Sequence, residues 1–111
     1  MSNIVDVPAP VAAFVKAINS ADTEAFVNLF TADGLVNDWG TKYAGPDGVR
    51  QWAGSDAIGA LAKMTLLTAS TEGETTTVRF DWRSRVFNGE STGIFVVHGG
   101  QLHSFTIPPN H

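Results

Sequence analysis

Thr75-Thr76-Thr77-Val78-Arg79-Phe80-Asp81-Trp82-Arg83-Ser84-Arg85-Val86-Phe87, followed by Asn88-Gly89, decides the fold class. The stretch is rich in Thr, Val and aromatic side chains, which fit a pleated, half-buried surface. It alternates with a period of two. Val78, Phe80 and Trp82 fall on one face, and Arg79, Asp81, Arg83 and Arg85 on the other. That is the pattern of a strand with one face in a core. Asn88-Gly89 is a strong hairpin signal, because a two-residue turn that matches strand twist needs positive φ at both positions. The reading is an antiparallel hairpin that turns at Asn88-Gly89.

Strands extend on both sides. Met64 to Glu72 is strand-like and meets the hairpin through a tight turn at Gly73-Glu74. Gly93 to Val97 continues as a strand, Gly99-Gly100 turns again, and Gln101 to Ile107 is the last strand before Pro108-Pro109 stops it. Ile94 to Val97 is apolar at four consecutive positions, so both faces of that strand are expected to be covered. Helices can cover one. A second copy of the chain is the simplest cover for the other.

Before Lys63 the period is helical. Val11, Phe14, Val15 and Ile18 lie on one helical face, behind prolines at 8 and 10 that suit a first turn. Asp22 is a good N-cap, and Phe26, Leu29 and Phe30 form a second apolar face that Asp33-Gly34 is expected to end. Leu35 to Trp39 reads as a short strand and Gly40 to Gly45 as a turn with a brief return strand. Gly45-Pro46-Asp47 opens a third helix with Val49, Trp52 and Ala53 inward. Helices first and hairpin-linked strands afterwards predict an α+β domain, about three N-terminal helices on a curved antiparallel sheet. The 111 residues fit one domain, 1–111, with its core at about 8–107.

Composition narrows the function classes. With no cysteine, thiolate metal sites and disulfides are excluded, which suits a reducing cytoplasm. The net charge is −4, and the only gathering of basic residues, Arg79, Arg83 and Arg85, is interrupted by Asp81; no nucleic-acid partner is expected. No basic, apolar leader suggests secretion, and no run approaches the roughly 20 apolar residues of a membrane span. Three histidines without metal-ligand spacing predict no metal, and no glycine-rich strand-to-helix loop predicts no nucleotide or other cofactor.

Ala25-Phe26-Val27-Asn28-Leu29-Phe30-Thr31-Ala32-Asp33-Gly34, then Leu35-Val36-Asn37-Asp38, resembles the second helix and first strand of the nuclear transport factor 2-like superfamily, which includes the SnoaL-like polyketide cyclases and ketosteroid isomerase. Gly45-Pro46-Asp47-Gly48-Val49-Arg50-Gln51-Trp52 resembles the third helix of that group. The resemblance covers Val11 to Ile107. It implies a cone-shaped α+β barrel, a deep apolar pocket between helices and sheet, and usually a dimer through the outer face of the sheet. It identifies a fold more than a chemistry, since one fold hosts unrelated activities.

By that resemblance Asp38 stands where related isomerases carry a general base. A carboxylate in an apolar cavity holds its proton more tightly, which fits it for proton transfer. The alternative is that Asp38 caps the turn at Trp39-Gly40, as aspartates do. The family's enolate-stabilising tyrosine position falls near Phe14 or Val15, neither of which can donate, and no acid follows Gly93, so ketosteroid turnover is not expected. His98 and His103 are the other candidate catalytic groups, either of which could pair with Asp38. His98 sits at a hairpin end; His103 shares the alternation of Phe105 and Ile107, toward the pocket or toward a partner. His111 is terminal. Asp81 with Arg79 and Arg83 could be a functional carboxylate cluster or a solvated charge ladder. Phe14, Trp39, Tyr43, Trp52, Phe80 and Trp82 are the expected pocket lining, with core packing as the other role of Trp52. The expected ligand is a small, mostly apolar molecule. The functional expectation is a homodimeric small-molecule-binding domain with Asp38 as a proton-transfer base; the alternative is a non-catalytic binding or association module.

Overall fold

The computed structural model describes residues 6–109. His111 and the first five residues of the leader lie outside them. Two helices open the chain, α1 (Ala9–Asn19) and α2 (Thr23–Asn28). A hairpin follows, β1 (Phe30–Asp38) and β2 (Thr41–Ala44), and then α3 (Gly45–Asp56) with a short 3-10 turn at Ile58–Ala60. Four long strands complete it: β3 (Lys63–Glu72), β4 (Thr75–Arg83), β5 (Asn88–His98) and β6 (Gln101–Ile107). The three helices pack on one face of a curved sheet of order β2-β1-β6-β5-β4-β3. Among the described residues no helix is long and apolar enough to cross a membrane.

Two features of the sheet correct the expectation. It is mixed, because β1 runs parallel to its neighbour β6 while every other pairing is antiparallel. It is also open, with β2 and β3 as free edges, so the barrel is not closed. The parallel pair sets β1, beside the edge strand β2, against β6, the last strand of the chain, a long-range pairing that local alternation cannot signal.

Helix starts follow local chemistry. Asp22 Oδ1 accepts the backbone N–H of Ala25 at 3.1 Å and caps α2. That helix ends at Asn28, earlier than the apolar spacing implies, because Phe30 is drawn into β1, where it pairs with Leu102. At the other end of the fold the hairpin turn is displaced. Asn88 and Gly89 belong to β5, where they pair with Arg83 and Trp82. The turn is made by Ser84 to Phe87: Ser84 Oγ accepts from the backbone N–H of Val86 and Phe87 at 3.2 and 3.0 Å, and Asn88 Oδ1 accepts from Ser84 N–H at 3.1 Å. Side-chain acceptors here take over the role of the Asn-Gly turn.

The core is aromatic. Phe14 of α1 lies 5.0 Å from the ring of Phe26, 4.9 Å from Phe95 and 4.6 Å from Phe105. Such tilted and edge-to-face pairs each contribute roughly 0.5–1.5 kcal/mol beyond area burial. The rings converge over Gly93 on β5, where a Cβ would stand 2.7 Å from Phe105 Cε1 and 3.1 Å from Phe80 Cε1. Gly93→Ala should therefore cost about 1–3 kcal/mol by overpacking. Gly54→Ala, in α3 with open space around it, should stabilise by roughly 0.5–1 kcal/mol. Urea denaturation of both variants checks the pair. A Gly93→Ala variant as stable as wild type would show that the rings are not close-packed there.

Candidate functional site

The site is assembled at the end of the sheet where β1 and β6 terminate. Asp38 pairs with Ile107 across the parallel ladder and with Thr41 across the β1–β2 hairpin. Trp39 and Gly40 form the two-residue turn with φ of +55° and +95°, the positive pair that such a hairpin demands. A tryptophan in that region is uncommon. It is held there by its backbone N–H, which donates to the Ile107 carbonyl at 2.9 Å, and by Asn37 Oδ1, which accepts the Gly40 N–H at 3.0 Å. The turn cap is thus Asn37, and the Asp38 carboxylate points elsewhere.

It points to Trp52. The indole of Trp52 is buried in α3 between the rings of Phe26, Trp82 and Phe105, with centroids 5.8, 6.0 and 6.0 Å away. Its Nε1–H donates to Asp38 Oδ2 at 3.1 Å. The carboxyl of Asp38 is held above the usual aspartate range, first by burial among these apolar groups and then by the charge of Asp56; the Trp52 hydrogen bond works in the opposite direction. Tyr43 on β2 lies in the same field: burial, then Asp56 and Asp38, raise its phenol.

Around Asp38 is a cavity of about 350 Å³, at the lower end of the roughly 300–1,000 Å³ of small-molecule pockets. Trp52 and Asp56 of α3 form one wall, Phe80 and Trp82 of β4 with Ser91 of β5 another, and Ile107 lies beside Asp38. Trp39, Val86 and Phe87 stand at the rim, and all three are exposed despite their size.

The expected lining residues divide accordingly. Trp39, Trp52, Phe80 and Trp82 line the cavity. Phe14 does not: it is fully buried in the aromatic core. Tyr43 packs against the core without forming part of the wall. Neither histidine meets Asp38. His98 ends β5 at the opposite end of the sheet, exposed, with Nδ1 3.5 Å from Glu74 Oε2. His103 lies 3.9 Å from Asp33. Register shifts on both sides of β6 turn Leu102 inward, so His103 does not share the inner face of Phe105. Arg83–Asp81 at 3.1 Å and Arg79–Glu90 at 3.4 Å form a ladder on the outer face of the sheet, with no member in the cavity. The sequence pattern alone does not single out Asp56, Ser91, Val86, Phe87 and Ile107, which also line the cavity. Asp56 could have been found, since it lies one helical turn beyond Trp52 on the same face, and Ser91 follows the inner alternation of Gly93 and Phe95.

A profile of the SnoaL-like domain family matches residues 11–105. The chain belongs to the SnoaL-like domain family. No curated protein sequence matches it. Solved structures match across nearly the whole of this SnoaL-like domain. A candidate polyketide cyclase from Sinorhizobium meliloti has a TM-score of 0.84 at 23% identity, covering 92% of this chain and 95% of its own. The epoxide hydrolase/cyclase-like enzyme SalBIII, of pyran ring formation in salinomycin, has 0.80 at 17% identity, covering 89% and 86%. A protein of ketosteroid isomerase-like fold from Catenulispora acidiphila, solved with trimethylamine, has 0.79 at 20%, covering 95% and 88%. These likenesses establish the fold.

The raised Asp38 carboxyl carries a stability consequence. The native state binds this proton more tightly than the unfolded chain does. The stabilisation is complete below the unfolded value, near 3.9, and is lost as pH rises through the folded one. Asp38→Asn keeps an oxygen to accept from Trp52 and removes the buried charge. It should melt higher than wild type at pH 8 and lose that advantage toward pH 4. Thermal melts at both pH values check this; a variant less stable than wild type at pH 8 would contradict it.

Proposed function

We propose that this domain binds a small, mostly apolar molecule in the cavity and that Asp38 removes a proton from it. The observation that carries the reading is the Asp38 carboxylate, oriented by Trp52 at 3.1 Å and set among aromatic walls. A base in such surroundings is poised nearer neutral pH than a solvated aspartate, and positioned proton transfer contributes roughly 10²–10⁴-fold to rate. The names of the neighbours, a candidate cyclase and an epoxide hydrolase/cyclase-like enzyme, are consistent with chemistry in this cavity. The reaction class is abstraction of a proton from a carbon or hydroxyl of the ligand, as in isomerase-, dehydratase- or cyclase-type steps.

A second reading, ligand binding without turnover, is favoured by one feature. The other polar side chains on the wall, Asp56 and Ser91, do not make a pair of donors for a developing enolate, and Phe14 is packed in the core. One experiment separates the two. A panel of small cyclic ketones is incubated with the protein in D₂O and exchange at the carbon beside the carbonyl is followed by NMR. The expected result is catalysed exchange of at least one ketone, reduced roughly 10²-fold or more in Asp38→Asn. Exchange equally fast in the variant would overturn the role of Asp38, and binding without exchange would favour the second reading.

We further propose a homodimer through the outer face of the sheet. Ile94 and Val96 project there, only half-buried within one chain, beside Thr77 and the Arg79–Glu90 pair. A second copy would cover these apolar side chains and align its own charge ladder with this one. Sedimentation equilibrium at micromolar concentration should give twice the chain mass, and Ile94→Lys should give monomer. Wild-type protein that is monomeric throughout would exclude the dimer.

A further inference from the structure

The composition of the cavity wall selects for charge as well as for size. Two carboxylates, Asp38 and Asp56, stand on it. No lysine, arginine or histidine does. Three arginines are held by carboxylates away from the cavity, Arg50 by Glu24, Arg79 by Glu90 and Arg83 by Asp81; Arg85, in the loop that carries Val86 and Phe87, and Lys42 of β2 are not part of the wall. The remaining wall is mostly aromatic. All three tryptophans of the sequence, Trp39, Trp52 and Trp82, meet in this one cavity, with Phe80 and Phe87 beside them. On the sheet wall Ser91 is 93% buried, its relative exposure being 7%. Its side chain lines the cavity.

These facts answer to one ligand chemistry. An apolar wall by itself would take any neutral molecule of the right volume. Aromatic faces attract a cation through the ring quadrupole, and more strongly as water is excluded. Carboxylates without basic neighbours add an unneutralised negative field, which a low-dielectric cavity strengthens. A neutral ligand would leave that field uncompensated, and an anion would be repelled. We infer that the cavity takes a small organic cation, a protonated or quaternary amine with an apolar body. Its charged centre sits between Asp56 and the rings of Trp39, Trp82 and Phe87, and its body reaches toward Ser91 and Asp38. The inference rests on the reading of this cavity as a small-molecule site and specifies its ligand class. It also separates the two carboxylates: Asp56 holds the ligand's charge and Asp38 faces the part of it that can lose a proton.

The test uses the cavity's own tryptophans as the reporter. Intrinsic fluorescence is titrated with benzyltrimethylammonium, with its neutral carbon isostere neopentylbenzene, and with phenylacetate as the anionic counterpart. The expected result is quenching by the cation at a concentration at least tenfold below that required for the isostere, and no saturable response to phenylacetate. Asp56→Asn should narrow the ratio between cation and isostere severalfold, and Trp39→Leu should narrow it through loss of a π-face. Equal or tighter binding of the isostere would overturn the cation inference while leaving the small-molecule site standing. Saturable binding of phenylacetate would overturn it as well. A lack of response to all three probes, in protein shown to be folded by circular dichroism, would count against both the inference and the cavity reading beneath it.

Discussion

The fate of one buried N–H organises this molecule. Trp52 is 1% exposed, with its indole packed between Phe26, Trp82 and Phe105. A ring that size contributes much of the apolar burial that holds α3 on the sheet, but its Nε1–H cannot be left without an acceptor at that depth. Asp38 supplies the acceptor. The core's requirement for a hydrogen-bond partner thus brings a carboxylate into apolar surroundings. A structural need and a chemically useful group coincide at one contact.

The rest of the site follows from that placement. For Asp38 to reach Trp52, something else must satisfy the β1–β2 turn, and Asn37 does so through the Gly40 N–H. The turn in turn fixes Trp39 at positive φ, with its side chain at the cavity rim. Across the opening, the loop stitched together by Ser84 presents Val86 and Phe87. Exposed apolar side chains are costly as isolated features; gathered around one opening they mark a place where a ligand would cover them. Electrostatics then adds direction. Asp56 raises the proton affinity of both Asp38 and Tyr43, so this end of the sheet carries a negative field with no cation on the cavity wall to cancel it.

The sequence made some elements legible because they depend on local chemistry. Val11, Phe14 and Ile18 fall on one helical face whatever surrounds them, Gly45-Pro46 opens α3, and Gly73-Glu74 and Gly99-Gly100 turn the chain where strands end. Phe30 continues the helical spacing of Phe26, and only its pairing with Leu102, far along the chain, makes it a strand residue. Asn88-Gly89 carries the right turn chemistry but is outcompeted by the hydroxyl of Ser84. Alternation groups His103 with Phe105 and Ile107, and alternation fails wherever the register slips, as it does beside Leu102. Asp38 was visible through its place at the end of the first strand. Its hydrogen bond with Trp52 was not, because a contact between a strand end and the middle of a helix has no local signature.

The central claim is that burial against Trp52 and its aromatic neighbours dominates the protonation of Asp38. The direct measurement is a ¹³C NMR titration of the Asp38 side-chain carboxyl in the folded protein, assigned by comparison with Asp38→Asn. The account predicts a pKa above the roughly 3.9 of a free aspartate, and a further rise in Trp52→Phe, which removes the one donor that favours the charged form while keeping the apolar wall. A pKa at or below the free value in the wild-type protein would contradict it.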